Sequence, residues 1–71
     1  MHGRKIEITF NGMKEAVPEN ATISDLIQLT QEKDSGLIVE INNKFVFPQQ
    51  YPETVLSDGD KVEFINPDFG G

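Results

Sequence analysis

The first part of the chain alternates polar and apolar residues in the way typical of a strand with one buried face. This alternation covers residues 5–10, and it predicts a strand there. The inward positions are Ile6, Ile8 and Phe10. Asn11-Gly12 follows at once, and this dipeptide after an alternating run is the strongest short hairpin signal. A second strand is predicted over about 13–17, because Pro18 cannot continue it.

The next segment spaces its apolar residues three and four positions apart, which is typical of a helix with one buried face. A helix of about ten residues is therefore predicted to begin after Thr22 and to end near Lys33. Its apolar face comprises Ile23, Leu26, Ile27, Leu29 and Thr30. Thr22 is suited to be the N-cap, Asp25 favours the helix dipole, and Gly36 is a plausible C-cap.

The second half of the chain contains three further short runs that predict strands, at 37–41, 45–47 and 61–65. Residues 42–44 predict a turn between the first two, because Asn tolerates positive φ. The crossover 49–58 is expected to be irregular and to hold a single helical turn around 53–56. Val55 and Leu56 are expected to pin that turn to the core.

The resulting order, β-β-α-β-β-β, leaves few compact arrangements for so short a chain. One helix must cover one face of one mixed sheet, and the crossover between parallel strands must be right-handed. We therefore expect an α+β fold of the β-grasp, or ubiquitin-like, type. The domain is predicted to span residues 1–65, with 66–71 as a flexible C-terminal tail.

Composition and charge exclude several kinds of function. The 71 residues include no cysteine and one histidine, His2, so a disulfide framework, a cysteine-based zinc site and a thiol nucleophile are excluded. A formal net charge of −6 makes binding to nucleic acid a poor hypothesis. No apolar run is long enough to cross a membrane, and no signal peptide is recognisable, so we expect a cytoplasmic protein.

No set of side chains in the sequence is typical of an active site. Asp58 and Asp60 flank Gly59, but two acids in a tight turn fall short of a calcium loop with its roughly six oxygen ligands. The other carboxylates are interpreted as a solvated surface. We therefore expect no metal site, no bound cofactor and no catalytic activity of the chain's own.

The C-terminal segment is the most informative candidate for function. Gly70-Gly71 carries no Cβ, so it can enter a channel too narrow for other residues. Residues 66–71 can extend about 20 Å. Phe69 is interpreted either as folding back on the sheet or as docking into a partner. A frayed end without function is the alternative, and the coincidence of Gly-Gly with a β-grasp pattern argues against it.

Four stretches of the sequence resemble the ThiS sulfur-carrier family of thiamine biosynthesis. They are the first hairpin at 5–12, the helix start at 22–27, the strand and turn at 39–43, and the stretch Leu-Ser-Asp-Gly-Asp-Lys-Val-Glu at 56–63. The terminal Gly70-Gly71 completes the resemblance, which covers essentially the whole chain. Asn43 stands where the family usually has Gly. Residues 66–69 depart from the small and apolar residues that usually precede Gly-Gly.

The resemblance implies a mechanism in which this chain is a co-substrate. An E1-like adenylating enzyme (ThiF- or MoeB-like) would use ATP and magnesium to adenylate the Gly71 carboxylate. Sulfur from a donor protein would then leave a thiocarboxylate, which a ThiG-like thiazole synthase would accept. The tail residues expected to enter the partner's active site are Pro67, Asp68, Phe69 and Gly70. Independently of the resemblance, we expect the partner surface to be the exposed sheet face together with the tail, with Val46, Phe47 and Phe69 as its apolar contacts.

Other functions remain open on the sequence. Similar carriers supply sulfur for molybdopterin, in the MoaD group, or for cysteine or homocysteine. A non-covalent β-grasp interaction module and a ubiquitin-like modifier of protein lysines are further alternatives.

Overall fold

The computed structural model describes residues 3–67, and in this range it shows five strands and one α-helix. The elements are β1 (Lys5–Phe10), β2 (Met13–Pro18), α1 (Ile23–Leu29), β3 (Ile38–Ile41), β4 (Lys44–Val46) and β5 (Lys61–Ile65), with a 3-10 turn (Pro48–Gln50) before β5. Their order confirms the predicted α+β architecture of the β-grasp type.

The strands form one mixed sheet in the order β2-β1-β5-β3-β4. The central neighbours β1 and β5 are parallel, and the other pairs are antiparallel. The last strand of the chain therefore lies in the middle of the sheet. The C-terminal segment leaves the domain from this central strand and not from an edge.

Both hairpins turn on residues in the left-handed backbone region. Asn11 (φ 50°) and Gly12 (φ 86°) connect β1 to β2, and Asn42 (φ 52°) and Asn43 (φ 71°) connect β3 to β4. Two successive residues with positive φ match the right-handed twist of the strands that they join. The Asn11-Gly12 turn is confirmed, and so is a turn at Asn42-Asn43. Lys44, which was predicted to belong to that turn, is the first residue of β4, and this strand ends at Val46 and not at Phe47 as predicted.

The helix packs on one face of the sheet and completes a single core. The least exposed side chains come from three strands and the helix: Ile8, Ile23, Val39 and Val62. Thr22 and Asp25 cap the helix reciprocally, since each backbone N–H donates to the other's side chain at 2.9 and 3.1 Å. The predicted N-cap is thus confirmed.

The helix ends earlier than predicted, at Leu29 and not near Lys33. Gln31 takes a left-handed backbone (φ 59°), and its N–H donates to the carbonyl of Gln28 while that of Glu32 donates to the carbonyl of Ile27. This pair of bonds is a Schellman motif, which satisfies the last helical carbonyls. The prediction of Gly36 as C-cap was therefore wrong, because a glutamine occupies the position where glycine is usual.

The helical turn predicted at 53–56 was also wrong. The structure places a 3-10 turn earlier, at Pro48–Gln50, where the fixed φ of proline suits a first turn. Val55 instead forms a bridge with Thr22 and is 52% exposed, whereas Leu56 is buried as expected. The backbone is extended here because the N–H of Leu56 donates to the carbonyl of Ala21.

Candidate functional site

The predicted site residues divide into those that the structure describes and those that it does not. Asp68, Phe69, Gly70 and Gly71 lie outside the described residues 3–67, as does His2. Pro67, Val46 and Phe47 lie within them. The roles expected of all these residues stay predictions, and the described part of the chain shows the surroundings from which the terminal segment departs.

An apolar groove lies between β3, β4 and the 3-10 turn. Its lining comprises Leu37, Ile38, Val39, Phe45, Val46, Phe47, Pro48 and Tyr51. Val46 is half-buried against the core, and Phe47 is 59% exposed. Val46 and Phe47, both expected to contact a partner, therefore line the same groove. Val46 pairs with the buried Val39 on the helix side of the sheet, whereas the ring of Phe47 is accessible. The hydroxyl of Tyr51 donates to the carbonyl of Leu37 at 3.5 Å, and burial raises the pKa of this phenol.

The sheet face opposite the helix carries an apolar region that adjoins this groove and shares Ile38 and Phe45 with it. Strand register places Ile38 opposite Ile65, and Glu40 opposite both Phe45 and Glu63. Directly opposed residues share a face, and the neighbouring Val39 and Phe64 are buried on the helix side. We call these five residues the open-face patch: Ile38, Glu40, Phe45, Glu63 and Ile65.

Phe45 is the most accessible apolar member of the open-face patch. It is 62% exposed, and Ile65 is 40% exposed. The alternation Phe45-Val46-Phe47 already implied that both rings point away from Val46. The alternation places Phe45 on the open face only if Val46 faces the core. The pairing of Val46 with the buried Val39 shows that it does.

The open-face patch is also acidic. Glu40 and Glu63 are directly opposite each other, and like charges in that relationship are unfavourable. Among residues 3–67 the one ion pair is Lys14–Glu7, at 3.9 Å and well exposed, so neither glutamate of the patch has a cationic partner there. The patch therefore combines accessible apolar area with uncompensated negative charge.

The first residue after β5 is bonded to the loop that follows the helix. The side-chain amide of Asn66 donates to Glu32 Oε2 at 3.0 Å and to Asp34 Oδ2 at 3.1 Å. The Asn66 bond is the main reason that the pKa of Asp34 lies below its usual value. The backbone N–H of Gly36 lowers it further, and slight desolvation opposes both.

The described chain offers little chemistry of its own. Within residues 3–67 no three His, Cys, Asp or Glu side chains are grouped so as to hold a metal ion. In the same range no helix is long and apolar enough to cross a membrane. The described residues do provide a continuous accessible apolar surface, made of the groove and the open-face patch, and a defined starting point for the C-terminal segment.

Comparisons with known proteins identify a family, and five chains of solved structures match this chain. Residues 2–71 match the model of the ThiS family. The crystal structure of the thiamine biosynthesis protein ThiS from Geobacter metallireducens superposes with a TM-score of 0.81 at 26% identity. That match covers 93% of this chain and 100% of the other. A search of curated proteins finds no match.

Proposed function

Because this chain belongs to the ThiS family, we propose that it is a sulfur carrier whose C-terminal Gly71 carboxylate is converted to a thiocarboxylate. The observation that carries this proposal is the extent of the family match, which runs through Gly70 to Gly71. The fold supports it, since the likeness to a ThiS structure covers 93% of the chain. The chain acts as a protein co-substrate, and its partners supply the catalysis.

The proposed chemistry has two steps at one carbon atom. A carboxylate is a poor acyl donor, so an E1-like activating enzyme first joins the Gly71 carboxylate to AMP and releases pyrophosphate. A sulfide-equivalent nucleophile, delivered by a sulfur donor protein, then displaces AMP and leaves the thiocarboxylate. ATP and magnesium bind to the activating enzyme. We place both steps in the cytoplasm, where ATP is available.

The position of β5 supports delivery of the terminal carboxylate into a partner. The segment 67–71 starts beside the middle of the sheet and can extend about 17 Å, at 3.3–3.6 Å per residue. Gly70 and Gly71 add no side-chain width at its end. Asp68 and Phe69 then form the stem that lies within the partner's channel. Pro67, which is half-buried beside Gly36, lies where that stem leaves the domain.

The surfaces beside this segment support docking of an activating enzyme. Aromatic side chains often dominate interface energies, and Phe45 and Phe47 are both more than half exposed. Glu40 and Glu63 lack a cation among the described residues, and the chain carries a net charge of −6. We therefore propose a partner surface that is apolar with basic side chains at the positions facing the two glutamates.

The proposed sulfur acceptor is a ThiG-like thiazole synthase. The structural relative is named as a thiamine biosynthesis protein, and this supports thiazole over the molybdopterin and cysteine or homocysteine pathways. The test is to transfer labelled sulfur from the charged carrier to each acceptor system. Transfer to thiazole alone supports the proposal, and transfer only to another acceptor contradicts the pathway but not the carrier role. Deletion of Gly71 should abolish transfer to any acceptor without unfolding the domain.

A further inference from the structure

The contacts of Asn66 join the end of the last strand to the loop after the helix. One amide nitrogen donates both its protons to carboxylates, to Glu32 Oε2 at 3.0 Å and to Asp34 Oδ2 at 3.1 Å. Hydrogen bonds with an ionised acceptor are stronger than neutral ones. We call these three residues, Glu32, Asp34 and Asn66, the Asn66 clasp.

The fold brings the clasp together through two independent features. Alternation along β5 puts Val62 and Phe64 on the helix side, and Asn66 is the next position on that side. The early end of the helix, closed by Gln31, turns the chain so that Glu32 and Asp34 reach the same place. A helix that continued to Lys33 would carry these carboxylates elsewhere.

The carboxylates are themselves held in place. Glu32 Oε2 accepts the backbone N–H of Asp34 at 3.1 Å, and Asp34 Oδ1 accepts that of Gly36 at 2.7 Å. The two carboxylates are thus oriented independently of Asn66, which lowers the entropic cost of forming their hydrogen bonds to its amide.

The residues on either side of the clasp restrict the chain further. Asn66 precedes Pro67, so its backbone is biased toward an extended conformation that continues the direction of β5. Pro67 is half-buried and lies beside Gly36, where an added Cβ would be 3.9 Å from Pro67 Cγ and 3.3 Å from Asp34 Oδ1. The direction of the chain is therefore defined up to Pro67.

We propose that the Asn66 clasp is a positioning element that fixes where the C-terminal segment leaves the domain and so aims Gly71 at the activating enzyme. This inference rests on the proposed carrier function. A segment whose origin is fixed loses less conformational freedom when it enters a partner's channel. The clasp therefore lowers the KM of the carrier for its activating enzyme, and it leaves the chemistry at Gly71 unchanged.

The first arm of the test asks whether the clasp exists in solution, and it needs no partner. Carboxyl carbon NMR follows the titration of Asp34 in the wild type, in N66A, in N66Q and in the control Q28A. Gln28 is an exposed helical amide with no side-chain hydrogen bond in the described structure. The expected result is a rise in the pKa of Asp34 in N66A, with N66Q close to the wild type and Q28A unchanged. An Asp34 pKa that is the same in N66A as in the wild type overturns the clasp.

The second arm asks whether the clasp positions the segment. Adenylation by the activating enzyme is measured at varied concentrations of each carrier variant. We expect KM to rise about threefold to tenfold in N66A, with kcat unchanged. Without the clasp, the entropic cost of ordering about one residue has to be met when the carrier binds, and a rise of this size corresponds to that cost. N66Q should have a KM close to that of the wild type. D34N should raise KM, because it replaces the charged acceptor of the Asn66 amide by a neutral one.

The outcomes separate the clasp from the carrier function. The positioning role is overturned if the Asp34 pKa rises in N66A but KM is unchanged in both N66A and D34N. The clasp would then only stabilise the fold. A lower kcat at constant KM also overturns the positioning role. If the wild type is not adenylated at all, the carrier function and the positioning role fail together, and the NMR arm still decides whether the clasp forms.

Discussion

Glu40 and Glu63 face each other across β3 and β5 on the sheet face that the helix leaves open. Their opposition is unfavourable within the domain, and a partner's basic side chain placed between them would relieve it. The arrangement costs stability in the free protein and favours association. Removing one of these two charges should therefore stabilise the free domain and weaken its association with a partner.

Replacing Glu63 by Gln should stabilise the isolated domain and weaken its association with the activating enzyme. The free energy of unfolding should rise by about 0.2–1 kcal/mol, the usual size of a cross-strand charge effect. The association rate should fall, and its dependence on salt should become weaker. Urea unfolding and stopped-flow binding at low and high salt measure the two effects. E15Q removes the same charge from the edge strand β2 and should change neither quantity appreciably, so equal effects of E63Q and E15Q would contradict the role of the opposed pair.

Truncating Phe45 should separate binding from stability. The ring is 62% exposed, so F45A should change the free energy of unfolding by no more than about 0.5 kcal/mol. It should weaken binding to the activating enzyme by at least about 2 kcal/mol if Phe45 is a central anchor of the interface. Calorimetric titration measures the affinity. The matched control is L29A, which removes a side chain of similar exposure (58%) on the helix, and equal losses in both variants would show that the open-face patch is not the docking surface.

The reciprocal cap of Thr22 and Asp25 should contribute measurably to stability. T22A removes the side-chain oxygen that accepts the N–H of Asp25, and it should cost about 1 kcal/mol, within a range of about 0.5–2 kcal/mol. T22S keeps that oxygen and should retain most of the stability. Chemical unfolding of the three proteins tests this, and a T22S loss as large as that of T22A would mean that the lost methyl group matters and the cap does not.

The clasp also predicts a specific dependence of stability on pH. The pKa of Asp34 is lower in the folded protein than in the unfolded chain, so protonation favours unfolding. The contribution of Asp34 to the free energy of unfolding is present above its unfolded pKa of about 4, and it is lost as the pH falls through the lower pKa of the folded protein. N66A removes the main cause of the shift, so its deficit relative to the wild type should shrink on acidification. Urea midpoints of both proteins measured across this range test the prediction, and a deficit that stays constant with pH would contradict it.

The sequence was most informative where one local interaction decides the structure. The alternation at 5–10, the Asn11-Gly12 turn and the Thr22 cap each depend on neighbours within a few residues, and all three were predicted correctly. The end of the helix depends on Gln31 adopting a left-handed backbone, a conformation that glycine or asparagine usually signals. The 3-10 turn at Pro48–Gln50 was not predicted. It depends on the fixed φ of Pro48 and on the backbone N–H of Phe47, which donates to the side chain of Gln50 at 2.9 Å.

The surfaces and the clasp were harder to predict because they depend on long-range pairing. Phe45 reaches the open face because Val46 pairs with Val39, and that register is not visible in either segment alone. Asn66 meets Asp34 across 32 positions of sequence, through a helix end that was itself misplaced. The carrier function was predicted from motif resemblance and from Gly70-Gly71. The role proposed for these two residues is chemistry with a partner, and they lie outside the described residues 3–67.

The mass of the intact protein after activation tests the carrier role most directly. The protein is incubated with ATP, magnesium, the E1-like enzyme and sulfide. Its intact mass is compared with that of a sample that lacks ATP, and the mass of its C-terminal proteolytic fragment then locates any change. A sulfur carrier gains the mass difference of one sulfur replacing one oxygen, located at Gly71 and absent without ATP. No such gain with an enzyme shown to be active on its own carrier, or a gain at a residue other than Gly71, would contradict the proposed function.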